Sequence, residues 1–216
     1  MSQQISLQEA ERKAFTAAHN DGLWDFMLGC FFLGFAGAPY LSESLGDFWS
    51  SVVFLPFWGV VYLAVRLIRK QVVIPRIGVV TFGHARKRKL AKLSVVMLIV
   101  NVIAFAVGIA AALSRGQVPG QVYTIFIGMA LLLGFSVAAF YLDFTRLYGY
   151  GLMVGLAPLV GEWLWTQGYA THHGFPVTFG TAAGVMILVG LVVFGRLLRD
   201  NPVPAMTFPA EDAADE

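Results

Sequence analysis

Six long apolar segments constrain the fold of this chain more than any other feature of its sequence. Each has about 20 mostly apolar residues, which at a rise of about 1.5 Å per residue is the length of helix that crosses the hydrocarbon core of a bilayer. Their apolar runs are continuous rather than alternating, and they are about twice as long as the strands of a membrane β-barrel. We therefore predict an all-α, polytopic integral membrane protein with a six-helix transmembrane bundle. The predicted spans are approximately residues 23–41, 48–68, 93–113, 122–142, 147–166 and 179–198.

The composition excludes the main alternatives to a membrane protein. Hydrophobic residues make up 57% of the 216 residues and charged residues only 13%, whereas soluble domains average about 45–50% and about 25%. A soluble domain of this length cannot bury so much apolar surface. Cys30 is the only cysteine, so an intramolecular disulfide framework is excluded as well.

The Lys and Arg residues predict how the spans are oriented. With six spans, 14 of the 15 basic residues are predicted on one side of the membrane. The exception is Arg115, in the loop between the third and fourth spans. Basic residues accumulate in the cytoplasmic segments of membrane proteins. We therefore predict a multi-pass protein of the cell inner membrane with cytoplasmic N- and C-termini.

Three segments are predicted to lie outside the bilayer. Residues 1–20 contain a capping box and helical apolar spacing, which predict a short amphipathic helix. This helix either lies on the inner membrane surface or packs on the cytoplasmic loop. Residues 69–92 form a basic cytoplasmic loop, in which β-branched runs at residues 72–74 and 79–82 predict two short extended segments. Residues 201–216 are acidic and contain three prolines, which indicates a disordered tail.

The basic loop ends in a cluster of cations that are candidates for binding lipid headgroups. Basic residues close to a membrane surface attract anionic lipids with about 1 kcal/mol each. The same residues are also explained by topology alone, since a six-span protein needs cations in this loop. The cluster is short and has no interleaved aromatic residues, so we expect no nucleic-acid partner. The candidate headgroup ligands are Arg86, Lys87, Arg88, Lys89 and Lys92.

Four polar side chains in or at the ends of the spans are candidates for a polar cavity or a transport path, because such groups are costly in hydrocarbon. They are Glu162, Asn101, Asp143 and Asp25. Glu162 follows Pro158, a predicted hinge, because proline frees a backbone carbonyl. Alternatively, Glu162 is an interfacial carboxylate that reaches toward the outer surface. Asn101 either lines the path or hydrogen-bonds a neighbouring helix.

The sequence has no metal, cofactor or catalytic signature. The adjacent His172 and His173 cannot point in the same direction on a regular element, and a metal site needs three or four donors. His19 and His84 are predicted on the opposite face of the membrane. We therefore expect no metal and no cofactor.

Two pairs of glycines are spaced four residues apart in the last two spans, and such small residues let helices approach closely. They are Gly151 with Gly155 and Gly180 with Gly184. We interpret them either as packing sites within the chain or as contacts in a homo-oligomer.

These features favour a small solute or ion transporter, or a channel-like bundle, lined by the polar residues above. The alternative is a non-transporting accessory or sensory protein that binds anionic lipid or a cytoplasmic partner through the basic loop. A membrane enzyme is a third hypothesis, and it requires Asp25, Asp143 and Arg146 to converge at the inner leaflet.

Overall fold

A computed structural model describes residues 21–77, 84–113 and 120–202. Within these ranges the chain is helical apart from short connections, and it contains no strand, which confirms the predicted all-α fold. The predicted amphipathic helix at residues 1–20 lies outside the described residues. Residues 203–216 of the predicted tail also lie outside them. The helices are α1 (Leu23–Leu45), α2 (Asp47–Ile68), α3 (Ile74–Ile77), α4 (His84–Leu113), α5 (Gly120–Leu142), α6 (Arg146–Thr166) and α7 (Phe175–Asp200).

The connection between the first two helices is shorter than the sequence predicts. The α1 helix continues through Leu45, and α2 begins at Asp47. Gly46 alone separates them, with φ 79° and ψ 162°, a conformation that L-residues with a side chain rarely adopt. A single glycine therefore reverses the chain at this end of the bundle.

The expectation of an extended segment at residues 72–74 is wrong. Arg69–Val73 continues α2 as a π-helical turn, and the short helix α3 follows it directly. Helix propensities of β-branched residues differ from those of good helix formers by less than about 1 kcal/mol, so the local context overrides them. The π turn shifts the hydrogen-bond pattern just before Pro75, which has no N–H to donate.

The basic cluster is also helical rather than part of a loop. The α4 helix begins at His84 and runs without interruption to Leu113. The cations at residues 86–92 therefore lie on the same continuous helix as the predicted third span. The second predicted extended segment, residues 79–82, lies outside the described residues.

Four helices form the centre of the bundle. The α1 helix packs along α7, α5 packs along α6, and contacts between α6 and α7 join the two pairs. The α2 helix packs against α1, and α4 packs against α5. The central helices enclose an apolar core, with α2 and α4 at its sides. The buried core side chains are Phe32, Ala36, Ala138, Ala139, Phe144, Leu147, Tyr150, Val154, Ala157, Phe179, Ala182, Ala183 and Met186.

The helices identify a membrane protein. Four helical stretches in the described residues are long and apolar enough to cross a bilayer. They are Leu23–Leu45, Phe48–Ile77, Gln121–Leu142 and His172–Asp200. The α6 helix is not among these four, and one of its faces is buried in the protein: its buried residues recur from Leu147 to Glu162 on successive turns. Its other face is exposed, as at Leu152 and Leu156. A helix face that packs on other helices tolerates more polar residues than a face in contact with lipid.

Candidate functional site

The candidate site is built around a buried ion pair between α1 and α6. Asp25, in the first turn of α1, is fully buried. An Nη1 atom of Arg146, the first residue of α6, lies 2.9 Å from Oδ2 of Asp25. Among the described residues, neither oxygen of Asp25 accepts an aligned hydrogen bond. The contact is therefore mainly electrostatic, and a buried charge of this kind is costly without its counter-charge.

Tyr150 completes this cluster. It lies one turn after Arg146 on α6, and its hydroxyl lies beside the Asp25 carboxylate. The hydroxyl is buried and makes no aligned hydrogen bond within the described part of the chain. Buried polar atoms are almost always hydrogen-bonded in proteins. The Tyr150 hydroxyl lies within hydrogen-bonding reach of the Asp25 carboxylate. This buried carboxylate, with the guanidinium and the hydroxyl beside it, is therefore a candidate site for a small ligand or a proton.

A second ion pair lies at the beginning of α1. Asp21 is fully buried, and its Oδ1 accepts a hydrogen bond of 3.0 Å from the backbone N–H of Leu23. Its Oδ2 lies 3.3 Å from Nη2 of Arg69, just after α2. The side chain of Asp21 thus caps the start of one helix and holds the end of the next.

A third ion pair joins α4 to the end of α5. The Nζ of Lys89 donates a hydrogen bond of 3.1 Å to Oδ2 of Asp143, and it lies 5.7 Å from the centre of the Phe140 ring. Lys89 is therefore engaged within the protein, whereas Arg88 and Lys92 are exposed. The side chains of Arg86 and Lys87 lie outside the described residues. Of the predicted headgroup ligands in the described residues, Arg88 and Lys92 are exposed to the surroundings, whereas Lys89 is paired with Asp143.

We call these three ion pairs the basic-end network, because they lie at the end of the bundle where the cations accumulate. Together they connect all the long helices except α7. The network thus brings the predicted Asp25 and Asp143 to the same end of the bundle. The sequence does not identify Asp21 as a site residue, because it lies just outside the predicted first span. Acidic residues are common outside spans, so its position alone does not indicate a function. The pairs are Asp21–Arg69, Asp25–Arg146 and Asp143–Lys89.

A separate pair of contacts lies at the opposite end. Oε2 of Glu162 lies 2.9 Å from Nδ1 of His173, and Glu162 is buried. The neighbouring His172 places its Nε2 3.2 Å from Oε1 of Glu43. Trp165 packs on His173 with ring centres 4.2 Å apart. Glu162 is thus a buried carboxylate whose partner, His173, is about half exposed.

The two adjacent histidines therefore contact different helices. The imidazole of His172 faces Glu43 of α1, and that of His173 faces Glu162 of α6. In the described residues, no group of three or more His, Cys, Asp or Glu side chains is arranged to hold a metal ion.

The remaining predicted residues lie apart from both polar ends. Pro158 is fully buried in α6, which is continuous from Arg146 to Thr166, so its role as a hinge stays a prediction. Asn101 is exposed, and its Nδ2 donates a hydrogen bond of 2.9 Å to the carbonyl of Met97 in its own helix. Asn101 therefore does not join the buried polar groups.

The two glycine pairs differ in their surroundings. A Cβ added at Gly151 would lie 2.6 Å from Cβ of Phe135, and one at Gly155 would lie 3.0 Å from the carbonyl oxygen of Gly128. This face of α6 is thus covered by α5 and is closed to a second copy. Gly180 faces Ala36 at 3.7 Å, whereas a Cβ at Gly184 would meet nothing within 4 Å.

Apolar side chains separate the two polar ends. Phe32 of α1 and Phe179 of α7 stack with ring centres 5.8 Å apart and planes within 5°. Val154, Ala183 and Met186 are fully buried in the same core. The centre of the bundle is thus closely packed in this conformation.

Comparisons of the chain with protein-family models, curated proteins and solved structures found no match. The fold and the site together define an all-helical membrane protein with a buried, charged cluster at one end.

Proposed function

We propose that the chain is a multi-pass protein of the inner membrane with both termini in the cytoplasm. The proposal is supported by the exposed cations at one end of the bundle, since basic residues collect on the cytoplasmic side. These cations come from α2, the turn that follows it, α4 and α7. They are Arg66, Lys70, Arg88, Lys92, Arg196 and Arg199.

Labelling of single cysteines with a membrane-impermeant maleimide tests this orientation. In a Cys30→Ser background, Tyr169→Cys should react in intact cells, because Tyr169 is 75% exposed at the opposite end of the bundle. Lys92→Cys should react only after the membrane is permeabilised. The reverse pattern would contradict the orientation.

Within this arrangement, we propose that the protein transports a small solute or ion and that Asp25 is the group that responds to it. The observation that carries this proposal is the full burial of Asp25 in a helix long enough to cross the membrane. An ionisable side chain in such a helix costs about 2.5–3.5 kcal/mol on insertion scales, so it is a functional candidate by default.

The Asp25–Arg146 pair suggests how transport could be coupled to a change in shape. A proton or small cation bound by Asp25 would weaken the attraction between the carboxylate and the guanidinium. Because the pair joins α1 to α6, weakening it would release one contact between the two halves of the central bundle. The packed core beside Phe32 would have to separate for a solute to pass, so the proposal requires a second, open conformation.

Proton flux into reconstituted vesicles tests this function. Vesicles containing the purified protein and a trapped pH-sensitive dye should acidify under an imposed pH gradient and membrane potential. Asp25→Asn keeps the side-chain volume and removes the charge, and it should lower the flux about tenfold or more, an effect of at least about 1.4 kcal/mol. Asp200→Asn is the matched control, because Asp200 is exposed, and it should leave the flux unchanged. Wild-type flux equal to that of protein-free vesicles, or unchanged flux in Asp25→Asn, would contradict the proposal.

The second candidate function is binding of anionic lipid at the basic end. It is favoured by the exposure of Arg88 and Lys92 on the first turns of α4. Cations at this level of a membrane attract anionic headgroups with about 1 kcal/mol each. An accessory or sensory protein would use such a surface without moving a solute.

Thermal unfolding in mixed micelles tests the second candidate. Added phosphatidylglycerol should raise the unfolding temperature of the wild-type protein, and Arg88→Gln with Lys92→Gln should reduce that rise. The zwitterionic lipid phosphatidylcholine is the control for nonspecific effects of lipid. An equal rise in the wild-type protein and the double variant would exclude this surface as the lipid site.

A further inference from the structure

Asn101 is a polar residue in an unexpected place. It lies nine residues after Lys92 on α4, which corresponds to about 13 Å along the helix axis, or close to the middle of a hydrocarbon core of about 30 Å. It is nevertheless exposed. Its exposed neighbours are strongly apolar, with Leu98 63% exposed and Val102 59% exposed. In a membrane, this amide would face lipid.

The hydrogen bond that Asn101 makes does not satisfy its side chain. Its Nδ2 donates to the carbonyl of Met97, which uses one of the two amide hydrogens. Within the described part of the chain, its Oδ1 accepts no hydrogen bond. An amide group without partners in an apolar environment costs several kcal/mol. An asparagine is also too short to reach the membrane surface from this depth.

Among the described residues, nothing covers this face of α4, which leaves it open to a partner. The helix lies at the side of the bundle and packs against α5. Ser94, two turns before Asn101 on the same side of α4, is also exposed and bonds only back to the carbonyl of Leu90 in its own helix. Two exposed polar groups thus follow one side of an otherwise apolar helix surface.

We propose that this side of α4 is a self-association surface, on which Asn101 of one copy hydrogen-bonds Asn101 of a second copy. An amide carries both a donor and an acceptor, so two copies related by a two-fold axis satisfy each other. Two copies inserted in the same orientation place their Asn101 side chains at the same depth in the membrane. An unrelated protein would need its own polar residue at this depth to bind Asn101. Side-chain hydrogen bonds of this kind stabilise helix association in membranes.

This surface differs from the glycine pairs that the sequence suggests for an oligomer. The Gly151 and Gly155 face is covered by α5 within the chain, whereas the Asn101 face is exposed. The proposal is also independent of transport, since association requires neither a pathway nor the Asp25 cluster.

Energy transfer between donor- and acceptor-labelled copies in liposomes tests the proposal, measured over a series of protein-to-lipid ratios. Wild-type protein should associate. Asn101→Gln keeps the amide and should retain association, whereas Asn101→Leu should weaken it about tenfold, equivalent to about 1.4 kcal/mol. Because leucine favours insertion, such a loss would not reflect a failure to enter the membrane.

Thr181→Val is the matched control. Thr181 is likewise exposed on a predicted span and donates a hydrogen bond to a carbonyl of its own helix, that of Val177. This variant should associate like the wild-type protein. A wild-type chain that stays monomeric at every ratio would overturn the proposal. Undiminished association of Asn101→Leu would also overturn it, and so would an equal loss in Thr181→Val.

Discussion

Gly128 of α5 and Gly155 of α6 are in direct backbone contact. A Cβ built on Gly155 would lie 3.0 Å from the carbonyl oxygen of Gly128. The contact allows the two helices to pack at a distance that only residues without side chains permit. The pairing of α5 with α6 therefore depends on these two positions.

Replacing Gly128 with alanine should destabilise the protein, because the new Cβ would overlap the carbonyl oxygen of Gly155. Overpacking of this kind typically costs about 1–3 kcal/mol. Unfolding in detergent, followed by circular dichroism, measures the change. Gly134→Ala is the control in the same helix, because a Cβ there would meet nothing within 4 Å. Equal stability of the two variants would show that α5 and α6 do not pack in this way.

Removing Arg146 should destabilise the protein by about 3 kcal/mol, because the fully buried charge of Asp25 is left without its counter-charge. We expect Arg146→Ala to show a loss of this order and Asp25→Ala a smaller loss, because the side chain of Arg146 is 24% exposed. The double variant should lose less than the sum of the two, which a double-mutant cycle in detergent measures. Additive losses would mean that the two groups do not interact. Asp200→Ala with Arg199→Ala, an exposed pair, should show coupling of less than about 1 kcal/mol.

Lys89 and Arg88 should behave differently although they are neighbours in the sequence. Lys89→Gln removes the contact with Asp143 and should lower the unfolding temperature without added lipid. Arg88 is exposed, so Arg88→Gln should leave that temperature unchanged within error. Unfolding of both variants in the same detergent distinguishes them. A loss confined to Arg88→Gln would contradict the pairing of Lys89 with Asp143.

The contact between Glu162 and His173 should hold the connection between α6 and α7 in place. Glu162→Ala should make the segment around His173 more accessible, because it removes the buried partner of that imidazole. Limited proteolysis of the protein in liposomes should then cut faster near residues 167–174. Glu43→Ala is the comparison: Glu43 pairs with His172 from a mostly exposed position, so its loss should have a smaller effect. Equal cutting rates in wild type and Glu162→Ala would contradict this role.

The sequence predicts the long helices well because the length and apolarity of a membrane helix are properties of consecutive residues. The predicted span at residues 122–142 and the helix Gly120–Leu142 differ by two residues at one end. The errors lie in the connections. The predicted extended segment at residues 72–74 is helical, because β-branched residues set only a weak local preference.

The candidate site was predicted less completely than the fold. Asp25 stands out in the sequence because an acidic residue near a span is rare, but its partner Arg146 lies more than a hundred residues away. No periodicity relates two such residues, and only the packing of α1 near α6 brings them together. Asn101 illustrates the opposite problem: the sequence gives its depth in the membrane but not the side of α4 on which it lies.

The buried face of α6 has a consequence for how the chain enters the membrane. With Glu162, Pro158 and several glycines, this helix is a poor substrate for insertion by itself. Residues 143–145 connect it directly to α5, whose Gly128 it contacts closely. We expect the two helices to leave the translocon together as a hairpin. The favourable insertion free energy of the more apolar α5 would then offset the cost of inserting α6. A truncation that ends the chain after α5 should therefore insert stably, whereas α6 expressed without α5 should fail to integrate.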